Sequence, residues 1–221
     1  MQIEQRSYGG KLFRPKPIVH SEQDGRLFIS ATPWGSPVAA EKAVQMIVDY
    51  YMSAQQDRET TSPFEMITSI NHQSNTLRTA ILLANESLYR EENRQEYQTS
   101  CEIFVGSYLN GTFYWAQIGQ PHLILCRQGH LYPLSLSFDF TIDYGLFLAP
   151  LPRHLLGIHS HISPYVNSAK IYQEDELILV SRAKYLSLFS TSVNQRPLEE
   201  LSKEFSKEDP NAPFWISKIS F

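Results

Sequence analysis

Cysteine-dependent cleavage of phosphate esters needs C-x₅-R, but Ser107 stands six residues after Cys101 and Tyr132 six after Cys126. That mechanism is excluded. Gly35-Ser36-Pro37 lacks the G-x-S-x-G turn that exposes a serine nucleophile, and no G-x-x-x-x-G-K-[ST] phosphate loop occurs. His154, His159 and His161 lie close together, and an H-x-H pair on a strand would turn two imidazoles to one face, as zinc requires. No neighbouring cysteine or acid completes a tetrahedral set, so these read as loop histidines. Cys101 and Cys126 each sit in an apolar, strand-like run and read as buried, reduced thiols.

Periodicity defines the elements that must position any site. Gly10 to His20 is broken by Pro15 and Pro17, so residues 1–25 read as an irregular arm or short edge strands. Arg26 to Ala31 alternates as a strand that stops at Pro33. Ala43, Val44, Ile47, Val48 and Tyr51 form one stripe of a helix between Val38 and Tyr51. Ser62-Pro63 reads as a helix start, with serine as cap. Leu77, Ala80, Ile81, Ala84 and Leu88 line one face of a second helix, while Asn71-His72, Glu86, Arg90 and Glu92 read as its solvated face.

Strands follow. Ser100 to Leu109 and Thr112 to Ile118 flank Asn110-Gly111, a pair that tolerates the positive φ angles of a type I′ hairpin turn. A second hairpin is expected from His122 to Tyr132 around Gln128-Gly129. Phe138 to Pro164 is rich in loops. Strand signals return at Ala169 to Tyr172 and Glu176 to Ser181, a helix opens after Pro197 with Leu198, Leu201 and Phe205 inward, and Phe214 to Ile219 alternates as a closing strand. Helices set between blocks of hairpin-linked strands specify an α+β layered domain.

At 221 residues, with 42% hydrophobic content and no linker-like stretch, the chain reads as one globular domain spanning 1–221. The net charge of −4 and the scattered cations give no basic footprint for nucleic acid. No apolar run is long enough for a membrane span, and MQIEQRSYGG lacks the apolar core of a signal peptide. A cytoplasmic protein is expected. The sequons at Asn85 and Asn110 read as chance matches.

Four segments, in order, resemble the PP2C-type (PPM) protein phosphatases. Leu27-Phe28-Ile29-Ser30-Ala31-Thr32-Pro33-Trp34-Gly35 is similar to the family's first metal-binding strand, which runs into V-A-D-G-M-G-G, with Thr32 and Pro33 at the aspartate and glycine. Thr99 to Val105 and Phe113 to Leu131 are similar to its G-T-T strand and A-N-V-G-D-S-R-A-Y-L-x-R-x-G-x-L hairpin. Gly119, Arg127, Gly129 and Leu131 keep that frame, while Gln120 replaces the aspartate and His122 the arginine. Leu156-Gly157-Ile158 and Gln173 to Lys184 resemble the L-G segment and P-G-D-x-L-L-L-C-S-D-G-L. Asp175 is retained there, but Arg182 and Ala183 stand at D-G. Pro210-Asn211-Ala212-Pro213 resembles the terminal D-N-x-T, with Pro210 for the aspartate and Asp209 one residue early. The opening R-x-x-N-E-D has no counterpart before Arg26.

The resemblance covers residues 26–219 and implies a four-layer α-β-β-α sandwich, two antiparallel sheets face to face with helices outside. It also implies a pair of Mg²⁺ or Mn²⁺ ions that make a hydroxide-like nucleophile and neutralise phosphoryl charge. Such ions need hard, anionic oxygen ligands. Thr32, Pro33, Gln120, Arg182 and Pro210 supply none, so the metal site is expected to be lost, with no catalytic residues and no cofactor. Arg182 is expected either to face water or to fill the vacated position, where it is a candidate anion-binding residue. Trp34 is expected to pack in the turn after the first strand or to join an interaction surface. The chain therefore reads as a pseudophosphatase in signalling, binding a protein partner or a small anionic ligand, with no nucleic acid or membrane partner. The alternatives are an active phosphatase whose metal site is rebuilt on Asp24, Asp175 or Asp209, and an unrelated α+β interaction protein.

Overall fold

Residues 1–22, 25–56, 62–141, 149–182 and 197–221 are described by the computed structural model. Among them are two five-stranded antiparallel sheets and three α-helices, divided between two units.

One unit comprises Pro17–Ile118 and His154–Lys170. Its sheet runs β2 (Ile18–Ser21), β3 (Leu27–Gly35), β4 (Thr99–Leu109), β5 (Thr112–Ile118) and β8 (Tyr165–Lys170). The predicted hairpin forms, with φ of 50° at Asn110 and 73° at Gly111. Strand alternation divides this sheet into two faces. Leu27, Ile29, Ala31, Cys101, Ile103, Val105 and Ala116 join a core with Ala43, Ile47 and Tyr51 of α1 (Pro37–Gln56) and Leu77, Ala80, Ile81 and Ala84 of α2 (His72–Ser87). Burial of each large aliphatic side chain there contributes about 1.5–3 kcal/mol. On the opposite face Phe28, Phe104, Phe113 and Trp115 form a row of rings with centroids 6.1, 6.5 and 6.2 Å apart. Gly106 makes room for that row, since a Cβ there would lie 2.4 Å from Cζ of Phe113.

The other unit comprises Met1–Lys16, Gly119–Arg153 and Ile171–Phe221. Its sheet runs β1 (Gln2–Tyr8), β10 (Phe214–Ser220), β9 (Glu176–Ser181), β6 (His122–Arg127) and β7 (His130–Ser135). Ile124, Cys126, Ile178, Val180, Phe214 and Ile216 pack with Leu198, Leu201 and Phe205 of α3 (Leu198–Glu208). Glu199 and Glu200 in the first turn of α3 suit the positive end of its dipole.

The N-terminal arm forms edge strands, as one of its two readings expects: β1 pairs with β10 and β2 with β3, each at the edge of its sheet. Three expectations need correction. β3 does not stop at Pro33 but continues to Gly35. Its pairing with β2 ends at Ala31, so from Thr32 onward β4 is its one neighbour among the described strands, and a proline is tolerated where one side of a strand is open. Ser62-Pro63 opens no helix. Ser62 Oγ instead closes a local turn with Phe64 N and O, at 3.2 and 2.7 Å, and the cap of α2 is Asn71, whose Oδ1 accepts from Ser74 N at 2.8 Å. The strand expected at Ala169 to Tyr172 is Tyr165–Lys170, because β8 is aligned by pairing with β5 and not by its own weak pattern.

Candidate functional site

The positions matched by resemblance fall in both units. In the first, Thr32 is buried on β3, directly across from Glu102 of β4. Glu102 is 2% exposed and accepts from the indole Nε1 of Trp34 at 3.1 Å, while Ser100 Oγ donates to the Trp34 carbonyl at 2.9 Å. Trp34 is half-buried and packed at the end of its strand. Sequence reasoning passed over Glu102. The signal was a lone charge inside the apolar run Cys101 to Val105, where a carboxylate must find donors or remain neutral.

In the second unit, Gly119 at φ 74° and a cis Gln120–Pro121 bond lead the chain into β6. Gln120 and His122 both reach the main chain of Arg182, which directly follows β9. Gln120 Nε2 donates to the Arg182 carbonyl at 3.3 Å, and His122 Nε2 donates to the same oxygen at 2.9 Å. His122 Nδ1 accepts from Ser137 N at 3.0 Å. A carbonyl only accepts and an amide only donates, so the neutral Nε2–H tautomer is fixed. Burial drives the His122 pKa down to about 4. The Arg182 carbonyl and nearby Asp139 oppose that shift, and nearby Arg14 reinforces it.

Asp139 and Arg14 are themselves buried, and neither was singled out in the sequence. Asp139 Oδ1 accepts from Thr141 N, Thr141 Oγ1 and Leu151 N at 2.9, 2.6 and 2.8 Å, whereas its Oδ2 has no hydrogen-bond partner among the described residues. Each is an ionic residue flanked by apolar neighbours, Phe138 and Phe140 or Phe13 and Pro15.

Arg182 does not face water. Its side chain is 3% exposed and lies over Phe205 and Phe214, with Glu208 as its acid partner at 3.5 Å. Asp175 and Asp209 are committed to local structure. Asp175 takes the Nε and Nη2 of Arg127 at 3.0 and 2.6 Å and Tyr172 N at 2.8 Å. Burial would raise its pKa, but the Arg127 and Tyr172 bonds hold it below the ordinary value. Asp209 Oδ1 accepts from Asn211 N and Ala212 N at 3.1 and 3.3 Å, and the Pro210 carbonyl takes the Tyr8 hydroxyl at 3.0 Å. Asp24 and Ala183 lie outside the described residues.

The histidine trio is exposed loop structure. Ser160 Oγ and His161 Nδ1 are 2.9 Å apart, and the His159 carbonyl accepts from Asn85 Nδ2 at 3.0 Å. Asn71 and His72 are exposed as expected, Asn71 capping α2, whereas Asn85 is buried with Oδ1 accepting from Gly157 N at 2.8 Å. Cys101 and Cys126 are buried thiols outside any disulfide, and burial, with the Glu102 charge, pushes the Cys101 thiol up to about 12.

The donor chemistry at the matched positions is a hydroxyl, an amide, a guanidinium and two prolines, which does not fit a hard divalent ion. Among the described residues, no group of three or more His, Cys, Asp or Glu side chains is placed to hold a metal. Nor is any helix among them long and apolar enough to cross a membrane.

No protein-family model matches this chain, and no curated protein does. Solved structures do. The PPM Ser-Thr phosphatase MsPP from Mycobacterium smegmatis, in complex with cacodylate, is 15% identical with a TM-score of 0.70, over 100% of this chain and 98% of that one. PppA, a key regulatory component of T6SS in Pseudomonas aeruginosa, is 15% identical with a TM-score of 0.69, over 100% and 97%. The serine/threonine phosphatase PstP of Mycobacterium tuberculosis is 16% identical with a TM-score of 0.65, over 99% and 98%. Such identities speak to fold alone, and on that evidence the chain has the α+β sandwich fold of the PPM (PP2C-type) Ser/Thr phosphatases.

Proposed function

We propose that this chain is a pseudophosphatase, a PPM-fold protein that works by binding a protein partner or a small anionic ligand in cytoplasmic signalling. The observation that carries this reading is the donor set. Thr32, Pro33, Gln120, Arg182 and Pro210 stand where the resembling family places metal ligands, and Asp175 and Asp209 are engaged with Arg127 and with backbone amides. Without anionic oxygens to gather two dications, water is not activated and phosphoryl charge is not neutralised.

The test is a Mn²⁺ titration by calorimetry alongside hydrolysis of p-nitrophenyl phosphate and a phosphoserine peptide. The expected result is no binding below millimolar Mn²⁺ and no chelator-sensitive turnover. Micromolar binding with turnover abolished by EDTA would overturn the reading. It would favour a rebuilt metal site, for which the supporting observation is Glu102, a buried carboxylate across the strand pair from Thr32.

A further inference from the structure

The Arg182 guanidinium lies over the rings of Phe205 at 5.4 Å and Phe214 at 5.8 Å, beside the C-terminal end of α3. Its side chain is 3% exposed, and its Nε has no hydrogen-bond partner among the described residues. A guanidinium presents five N–H donors, and a buried charge is costly unless those donors are met. Aromatic faces attract a cation but offer no strong acceptor.

Glu208 is a poor permanent partner. It approaches only to 3.5 Å, its side chain is 45% exposed, and as the last residue of α3 it sits where the helix dipole disfavours a carboxylate. Burial pulls the Arg182 pKa down, and the charges of Glu208 and then Asp209 push it back. A buried donor with no protein acceptor is a place for a water or an ion to bind.

We propose that Arg182 is the receiving group of an oxyanion site whose outer wall is Glu208, taken by a phosphate-class dianion that turns the Glu208 side chain out into water. A carboxylate ligand would merely exchange one monoanion for another. A phosphate group brings nearly two charges and matches the guanidinium fork with two parallel hydrogen bonds. Inorganic phosphate and a phosphate monoester share this chemistry. The inference rests on reading the chain as a binding module.

Calorimetry and thermal melts of the full chain with inorganic phosphate, at constant ionic strength, test it. O-phosphoserine is the second arm, and acetate and chloride are controls. One saturable phosphate site is expected, and binding of O-phosphoserine as well would identify a monoester as the ligand. Glu208→Gln removes the competitor and should tighten binding about two- to fivefold. Arg182→Met should abolish binding while near-UV circular dichroism confirms the fold. If that variant does not fold, Arg182→Lys keeps the charge without the fork and should bind more weakly than wild type. Binding that persists unchanged in the Arg182 variants, fails to tighten in Glu208→Gln or is matched by acetate overturns the proposal. So does an absence of phosphate binding, which leaves water as the Nε partner. Mn²⁺-dependent hydrolysis in the same samples would refute the pseudophosphatase reading separately.

Discussion

His122 should make this protein lose stability on mild acidification. Its Nε2–H donates to the Arg182 carbonyl and its Nδ1 accepts from Ser137 N, so a second proton on Nδ1 would confront an amide hydrogen in a buried pocket. The folded pKa is about 4, against roughly 6.5 for an unfolded histidine. Because the folded value is the lower one, protons favour the unfolded chain. The contribution is therefore intact above about pH 6.5 and is lost progressively as pH falls toward 4. Between pH 7 and pH 5 that linkage removes about 2 kcal/mol, a large share of the 5–15 kcal/mol typical of a folded domain. Urea unfolding followed by tryptophan fluorescence at half-unit pH steps measures it. His122→Gln costs stability at pH 7, yet its stability should vary less with pH over the same interval. If the wild-type and His122→Gln curves run parallel between pH 7 and pH 5, the assignment of a buried neutral imidazole is wrong.

Asp175→Ala strands Arg127 without its carboxylate and should cost about 3 kcal/mol in urea unfolding, with no change in Mn²⁺ affinity if the residue is structural. Gly106→Ala drives a methyl group against Phe113 and should cost about 1–3 kcal/mol, partly recovered in the Gly106→Ala, Phe113→Leu double variant. Native protein at pH 7.5 should leave both thiols unreacted with a disulfide reagent, since Cys101 and Cys126 are buried with raised pKa values, and both should react in urea. Rapid labelling of native Cys101 would contradict its burial.

The sequence alone determined those features in which neighbours along the chain set the energy. The Asn110-Gly111 and Gln128-Gly129 turns, the apolar stripes of α1 and α2 and the Glu176–Ser181 strand follow from local φ preference and periodicity, and they formed as read. The order of the four resembling segments carried the fold and the identities of Thr32, Pro33, Gln120, Arg182 and Pro210. Where local signals misled, as at Ser62-Pro63 and Pro33, the outcome turned on what lay across space: Ser62 Oγ found Phe64, and β3 had an open side.

Only the tertiary structure decided what those side chains meet. Trp34 and Glu102 are 68 residues apart, His122 and the Arg182 carbonyl 60, and Arg127 and Asp175 48. No local pattern encodes such pairs, because a buried charge or donor takes its partner from whichever strand packs beside it, at a cost set by desolvation. For that reason Glu102, Asp139 and Arg14 were passed over in the sequence, and the fate of Arg182, held between two phenylalanines and one glutamate, could be read only from the folded chain.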